Sequence, residues 1–230
     1  MLQICFGLRP VFVVGMESSL NERTLSVGQK GAAFGIEMIT LENGAIVKSI
    51  HGGLYKDSKF YSVYGNKGRM ETARYSANAG DVSKIYVEYD QYPGGYNTVK
   101  REEYHVDAKN VKQEGFGHGG SDFYSMYHFV EKILGNPAAD IIDVYEALDM
   151  FLPGLLGYRS VLAGGAPQEI PDLRDAAQRE RFRQDTACTD PQAAGEMLLP
   201  SYSLGNPQVP REIYDGLREK WEKKQAGEKR

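Results

Sequence analysis

A glycine-rich segment at residues 114–122 holds the side chains best suited to chemistry. It reads EGFGHGGSD, so four glycines lie within six positions around one histidine, His118. Glycines let a backbone turn sharply and approach other groups closely. An imidazole exchanges protons near neutral pH, which makes His118 a candidate acid–base residue. The alternative is that its ring only caps a backbone group at the entry to a helix. Asp122 follows at the predicted helix start, so we expect it to cap the helix first and to contact a ligand second.

The same glycines also match the sequence pattern of a dinucleotide-binding loop. Gly115, Gly117 and Gly120 satisfy the G-x-G-x-x-G pattern of dinucleotide-binding loops. That loop normally follows a buried apolar strand of a parallel sheet, whereas residues 105–113 are mostly polar. We therefore expect no NAD or NADP to be bound by this chain alone.

Composition excludes several classes of partner. The 230 residues carry a formal net charge of −4 and include two cysteines, Cys5 and Cys188, far apart in sequence. No basic run precedes the last dozen residues, so we expect neither a nucleic acid nor a membrane as partner. The cysteine usage predicts a reducing, cytoplasmic location, and no Cys/His spacing suggests a metal site.

The first half of the chain reads as strands and hairpins, and the second half as helices. An Asn-Gly turn at Asn43 and Gly44 joins two of the strands. Predicted strands cover residues 11–16, 36–41, 45–50, 60–64, 69–73, 84–89 and 98–104, the last as an edge strand, with a loop at 20–33. Predicted helices begin at Ser121 or Asp122, at Asp143, at Asp172 and at Pro210, with an irregular stretch at 187–209.

This order predicts an α+β fold with a large, mostly antiparallel open sheet covered on one face by helices. We expect a single domain over residues 1–230, with an irregular helical tail from about residue 172.

Five short segments then resemble one known family in their order along the chain. They are IEMITLENGA at 36–45, YGNKG at 64–68, GHGGSD at 117–122, DVYEA at 143–147 and IPD at 170–172. The chain resembles the carboxyl-terminal domain of the Gfo/Idh/MocA family, which includes glucose–fructose oxidoreductase and inositol dehydrogenase. The Gly-His-Gly-Gly piece is similar to the subgroup near glycoside hydrolase family 109, the NAD-dependent α-N-acetylgalactosaminidases.

The resemblance implies a protein of two domains. In the complete family protein, an amino-terminal Rossmann domain holds NAD or NADP, and the carboxyl-terminal sheet lines a sugar site and builds an oligomer interface. This sequence contains neither the Rossmann half nor the family's Glu-Lys-Pro lysine and Asp/His motif. We therefore expect a truncated or split protein that is inactive alone. Its expected partners are a sugar or polyol substrate, a second copy through the open sheet face, and possibly a separate Rossmann domain.

The resemblance also indicates the site residues. It implies that His118 contacts the sugar or moves its proton, with Asp122, Gly119, Gly120 and Lys48 binding substrate. Lys48 is expected on the open side of the sheet, and the alternative is a solvated strand lysine. Three functions stay open: the substrate domain of a sugar oxidoreductase, a fragment of an NAD-dependent glycosidase, or a non-catalytic oligomerisation or carbohydrate-binding remnant.

Overall fold

The computed structural model describes residues 7–52, 60–72, 84–90, 99–105 and 121–228. The chain divides into two compact units, one formed by Met1–Gly53 with Ile142–Arg230 and the other by Leu54–Ile141. The elements in chain order are β1 Pro10–Glu17, α1 Glu22–Ser26, β2 Phe34–Leu41, β3 Ile46–Gly52, β4 Ser62–Gly65, β5 Gly68–Thr72, β6 Lys84–Asp90, β7 Val99–His105, α2 Ser121–Ile133, α3 Val144–Leu162, β8 Gln168–Glu169, α4 Ala176–Arg181, α5 Pro191–Ala194, a 3₁₀ turn Gly195–Met197 and α6 Arg211–Glu228.

The first unit is built on a four-stranded antiparallel sheet in the order β3-β2-β1-β8. The hairpin between β2 and β3 turns where the Asn-Gly pair predicted it. Gly44 has a φ of 84°, a conformation that glycine adopts without strain, and its N–H donates to the carbonyl of Leu41 at 2.8 Å.

Helix α3 covers one face of this sheet. Asp143 caps it by accepting hydrogen bonds from the N–H groups of Tyr145 and Glu146. In turn, the N–H of Asp143 donates to the side-chain carboxylate of Glu146. The helix continues through Pro153. Beneath it lies the buried apolar cluster of the unit: Val13, Ile39, Leu41, Leu152, Leu156 and Ile170.

Two glycines set how closely the helix approaches the sheet. A Cβ built on Gly15 of β1 would lie 2.1 Å from the carbonyl oxygen of Gly157 in α3, so no larger residue fits this contact. Ser160, which is 0% exposed, ties the same elements together. Its hydroxyl accepts from Gly15 N at 2.9 Å and donates to the carbonyl of Ala166 at 2.7 Å. Both backbone groups are thereby satisfied inside the fold.

The second unit carries its own antiparallel sheet, in the order β4-β5-β6-β7. The turn at Asn66 and Lys67 joins β4 to β5, and β7 lies at an edge among the described strands, both as predicted. The helix α2 ends before Gly135, whose φ of 82° is the left-handed conformation that commonly ends a helix.

The α+β prediction is confirmed, with antiparallel open sheets and helical cover. Two local predictions are wrong. The expected loop at 20–33 contains the short helix α1, because Asn21 and Thr24 form a reciprocal cap at its start. The helix expected from Asp172 begins later, because Asp175 is the residue that caps α4. The irregular stretch also contains α5 and the 3₁₀ turn. The extent of the domain over 1–230 stays a prediction.

Candidate functional site

The predicted site residues lie in different parts of the chain. His118, Gly119 and Gly120 fall outside the described residues, so their roles stay predictions. Asp122 is exposed in the first turn of α2, one residue after the helix begins at Ser121. An acidic side chain favours the positive end of the helix dipole there. Lys48 is exposed in β3, in the other unit. Asp122 and Lys48 thus belong to different units, and their roles in substrate binding stay predictions.

Lys48 lies on the open face of the first sheet. Cross-strand pairing places it opposite Met38, whereas the neighbouring Val47 and Ile39 pack into the core under α3. The alternation of a strand puts Lys48 and Met38 on the face away from the helix. The large apolar side chains of this open face are 41–66% exposed: Phe12, Met16, Met38, Ile46 and Ile50. Among the described strands, the open face is thus an apolar surface with Lys48 at one edge, in β3, and Glu169 at the other, in β8.

On the helix side, a polar cleft of about 260 Å³ lies where β1 begins. Asp149 of α3 is 5% exposed and accepts a hydrogen bond from Nη1 of Arg174 at 2.7 Å. Arg174 also contacts Asp172 at 3.4 Å and lies over the ring of Tyr145, 5.5 Å from its centroid. Arg9 approaches Asp172 with its Nε at 3.8 Å. This group ties the start of β1, the helix and the chain after β8 together.

The electrostatics of this cleft favour a structural role. Burial raises the pKa of Asp149, and the hydrogen bond and charge of Arg174 offset part of that rise. The same contact raises the pKa of Arg174. Its guanidinium is more exposed than the carboxylate of Asp149, so the pKa of Arg174 depends on the hydrogen bond to Asp149 more than on burial. Both guanidiniums already face carboxylates, and Glu42 and Glu146 add further negative charge to the lining. An anion would be repelled, and we interpret the cleft as an ion network that holds three segments in place.

A second pocket of about 240 Å³ lies between the sheet and the helix, at the far ends of β1 and β2. Glu37 of β2 points toward α3, since its strand neighbours Gly15 and Ser49 belong to the same face as the core residues Val13 and Val47. Burial raises the pKa of its carboxyl, and the imidazole of His51 on β3 opposes part of the rise. Glu37 is therefore an ionisable side chain on the face of β2 that otherwise packs into the core.

Sequence reasoning missed Glu37. The available signal was its place in the alternation of IEMITL, where Glu37 shares a face with Ile39 and Leu41 rather than with the solvent. Within the described part of the chain, no group of three or more His, Cys, Asp or Glu residues is placed to hold a metal ion. None of the described helices is both long and apolar enough to cross a membrane.

Comparison with known proteins places the chain in a family. The model of "Glycosyl hydrolase 109, C-terminal domain" matches residues 56–179, more than half of the chain. This chain belongs to that family. A "Glycosyl hydrolase family 109 protein" of Streptomyces coelicolor is 33% identical over 147 residues, which is 60% of this chain and 30% of the relative. A protein of the same description from Solibacter usitatus is 43% identical over 57 residues, 25% of this chain and 13% of the relative. The aligned region thus spans less than a third of either relative.

Solved structures show the same fold at low sequence identity. An oxidoreductase from Agrobacterium radiobacter, solved with NAD⁺, L-tartaric acid and magnesium, superposes with a TM-score of 0.51 at 12% identity. The superposition covers 73% of this chain and 45% of that protein. The expected kinship with the carboxyl-terminal domain of Gfo/Idh/MocA oxidoreductases is confirmed at the level of fold.

Proposed function

We propose that this chain is the substrate-binding and oligomerisation domain of an NAD(P)-dependent sugar or polyol oxidoreductase, and that catalysis requires a separate cofactor domain. The family match carries the proposal, because it covers the segment with His118, Asp122, Gly119 and Gly120. The related fold of a solved NAD⁺-bound oxidoreductase supports it. The substrate is then a polyhydroxylated molecule held by this domain.

The described residues do not fit a dinucleotide. A pyrophosphate site of the Rossmann type needs a parallel βαβ unit with a helix amino terminus aimed at the phosphates. Every described strand pair is antiparallel. The proposal therefore assigns NAD or NADP to another domain, which would supply the hydride acceptor for the carbinol carbon of a sugar bound here.

The residues of this chain bind and orient the sugar in this proposal. The imidazole of His118 accepts the proton of the reacting hydroxyl, while the flanking Gly119 and Gly120 let the backbone come close to the substrate. Asp122 orients the ring or accepts from a second hydroxyl. Lys48, in an edge strand among those described, donates to a hydroxyl beside the apolar open face. A solvated lysine remains the alternative for this last residue.

The catalytic part is tested by joining the chain to a compatible Rossmann domain. His118→Ala should lower turnover by roughly 10²–10⁴-fold, the usual range for an acid–base group, with folding unchanged. The matched control is His128→Ala, because His128 lies in α2 and its Nδ1 accepts a backbone hydrogen bond from Asp140. Equal turnover in the wild type and His118→Ala would refute the assignment.

The oligomeric part has an independent test. The apolar open face should pair with a second copy, because symmetric self-association is the commonest way to bury such a surface. Sedimentation velocity should show a dimer or larger species at tens of micromolar protein. Met38→Lys should shift it toward monomer, whereas Leu204→Lys, at a residue 84% exposed away from the strands, should not. A wild-type monomer at that concentration would contradict this part and leave the catalytic part standing.

The family description favours a second candidate, an NAD-dependent glycosidase. In that reaction, transient oxidation of one sugar carbinol would acidify the neighbouring C–H, elimination would expel the leaving group, water would add, and return of the hydride to the keto carbon would leave no net oxidation. The joined protein would release nitrophenol from a nitrophenyl glycoside without net formation of NADH. A dehydrogenase would form one NADH for each sugar oxidised, so the two assays separate the candidates. A chain that does neither but still associates would support the remnant interpretation.

A further inference from the structure

The pocket between the first sheet and α3 contains a carboxylate without a counter-charge at bonding distance. Glu37 is half-buried there, and within the described part of the chain no hydrogen bond or ion pair reaches its carboxylate. A carboxylate that is partly withdrawn from water without a partner loses solvation free energy, and a cation bound beside it would restore part of that loss. The question is which partner this pocket would accept.

The helix is shaped to admit this side chain. A Cβ on Gly157 would lie 2.8 Å from Oε1 of Glu37 and 3.2 Å from its Cγ and Cδ atoms. A Cβ on Gly154 would lie 3.8 Å from the same oxygen. The carboxylate therefore occupies a groove that exists because α3 carries glycine on this side. An alanine at Gly157 would push the carboxylate out of its present place.

Each neighbouring element contributes one titratable group to the pocket. Glu17 of β1 accepts a hydrogen bond from Ser203 N at 2.8 Å, and His51 of β3 contacts the hydroxyl of Ser49 through its Nε2. Tyr158 of α3 donates its hydroxyl hydrogen to the carbonyl of Pro200. No lysine or arginine belongs to the lining of this pocket. Two carboxylates thus face one imidazole and one phenol, and the pocket is anionic.

The rest of the lining is apolar. Val161 of α3 and the ring of Tyr158 provide walls for a hydrocarbon group. The donor set does not suit a metal ion, since no three ligating residues converge in the described chain. The combination of one unpaired carboxylate with apolar walls matches a molecule that has a cationic head and a short alkyl body.

We propose that this pocket binds a small primary ammonium ion, with the carboxylate of Glu37 as its anionic partner. The ammonium donates hydrogen bonds to Glu37, and the alkyl chain packs against Val161 and the ring of Tyr158. Protonation of Glu37 would remove the charge on which binding depends. Affinity should therefore fall as the pH is lowered through the raised pKa of this group. The site is separate from the sugar-binding role proposed above, and its test needs no cofactor domain.

Three probes of nearly the same shape test the charge requirement on the 230-residue chain. They are n-butylammonium, n-butanol and n-butyrate, followed by NMR chemical shifts and calorimetry up to tens of millimolar. Butylammonium should bind, butanol should bind ~10-fold or more weakly, and butyrate should not bind. Equal binding of butanol and butylammonium, or no binding of butylammonium, would overturn the proposal.

Variants then locate the site. Glu37→Gln should weaken butylammonium binding ~10-fold or more while the fold is kept, because a neutral amide replaces a poorly solvated charge. Gly157→Ala should also weaken butylammonium binding, because the new methyl group on α3 would displace the carboxylate of Glu37. Glu169→Gln removes an exposed carboxylate of β8 outside the pocket and should leave affinity unchanged. If Glu37→Gln does not fold, the affinity of Gly157→Ala for butylammonium tests the site instead. Unchanged affinity in either folded variant would refute the site.

Discussion

The close approach of α3 to β1 leads to a prediction about Gly15. Replacing Gly15 by alanine adds one methyl group, which would lie 2.1 Å from the carbonyl oxygen and 2.9 Å from the carbonyl carbon of Gly157, and 3.0 Å from Cγ2 of Val161. The first two atoms are helix backbone and cannot turn aside as a side chain can. Relieving the contact requires α3 to move away from the sheet by more than about 1 Å, given optimum separations near ~3.5 Å.

The size of the effect follows from three contributions. Forcing an extra methyl into a close-packed contact costs about 1–3 kcal/mol. The shift also strains the buried bond from Gly15 N to the Ser160 hydroxyl, 2.9 Å long, and an unsatisfied buried donor costs about 1–3 kcal/mol. Against these, alanine restricts the unfolded chain and returns about 0.4–1 kcal/mol. We expect Gly15→Ala to lower the free energy of unfolding by about 2–4 kcal/mol.

Urea unfolding followed by circular dichroism measures this loss, and two other glycines serve as controls. Gly157→Ala should change stability by less than about 1 kcal/mol, because the atoms nearest to its Cβ belong to the flexible Glu37 side chain and alanine favours the helix. Gly216→Ala, in α6 with nothing within 4 Å, should stabilise by about 0.5–1 kcal/mol. If Gly15→Ala is as stable as wild type, the helix does not lie where the structure places it.

Three further predictions concern single side chains. Ser160→Ala should cost about 1–3 kcal/mol in urea unfolding, because it leaves the buried Gly15 N without its acceptor, whereas the carbonyl of Ala166 keeps the Gln168 side-chain donor at 3.3 Å; a loss below about 0.5 kcal/mol would show that another group satisfies Gly15 N. Asp143→Ala should cost about 1 kcal/mol by removing the cap of α3, and Asp143→Asn should recover most of it; equal losses would contradict a capping role. Burial raises the folded-state pKa of Glu37 above 4.5, so the melting temperature of the wild type should rise relative to that of Glu37→Gln as the pH falls from neutrality toward 4.5. If the difference between the two melting temperatures does not change with pH, the carboxylate of Glu37 is not buried.

Much of the fold could be predicted because its signals are local. The Asn43-Gly44 turn sets the β2–β3 register, and the cap at Asp143 lies immediately before the apolar run of its helix. The errors have equally local causes. Asp172 looks like a helix cap in sequence, but its carboxylate accepts from the backbone N–H and the guanidinium of Arg174, so Asp175 caps instead. Arg174 is only two positions from Asp172, so the cause is local, but an aspartate that closes such a turn and one that caps a helix look alike in sequence.

The site was less predictable because it depends on contacts across long stretches of sequence. The strand alternation marked Glu37 as inward-pointing, but only the docking of Gly157, from a helix far along the chain, shows that the carboxylate enters a groove. The ion network of Arg9 with Asp172 depends on segments separated to a similar degree. His118 rests on its glycine neighbours and on the family match, so its role awaits the turnover measurement.

The position of β1 inside its sheet has a consequence for how the protein is made. One side of β1 pairs with β2, which follows at once, but the other side pairs with β8, and Ile170 N donates to the carbonyl of Val11. At roughly 5–20 residues per second, synthesis of the intervening chain takes about 8–32 s. For most of that interval the β1–β3 meander has neither α3 nor β8 beside it. The nascent sheet therefore exposes the apolar residues of both faces, and the length of the second unit, encoded in between, sets how long they stay exposed.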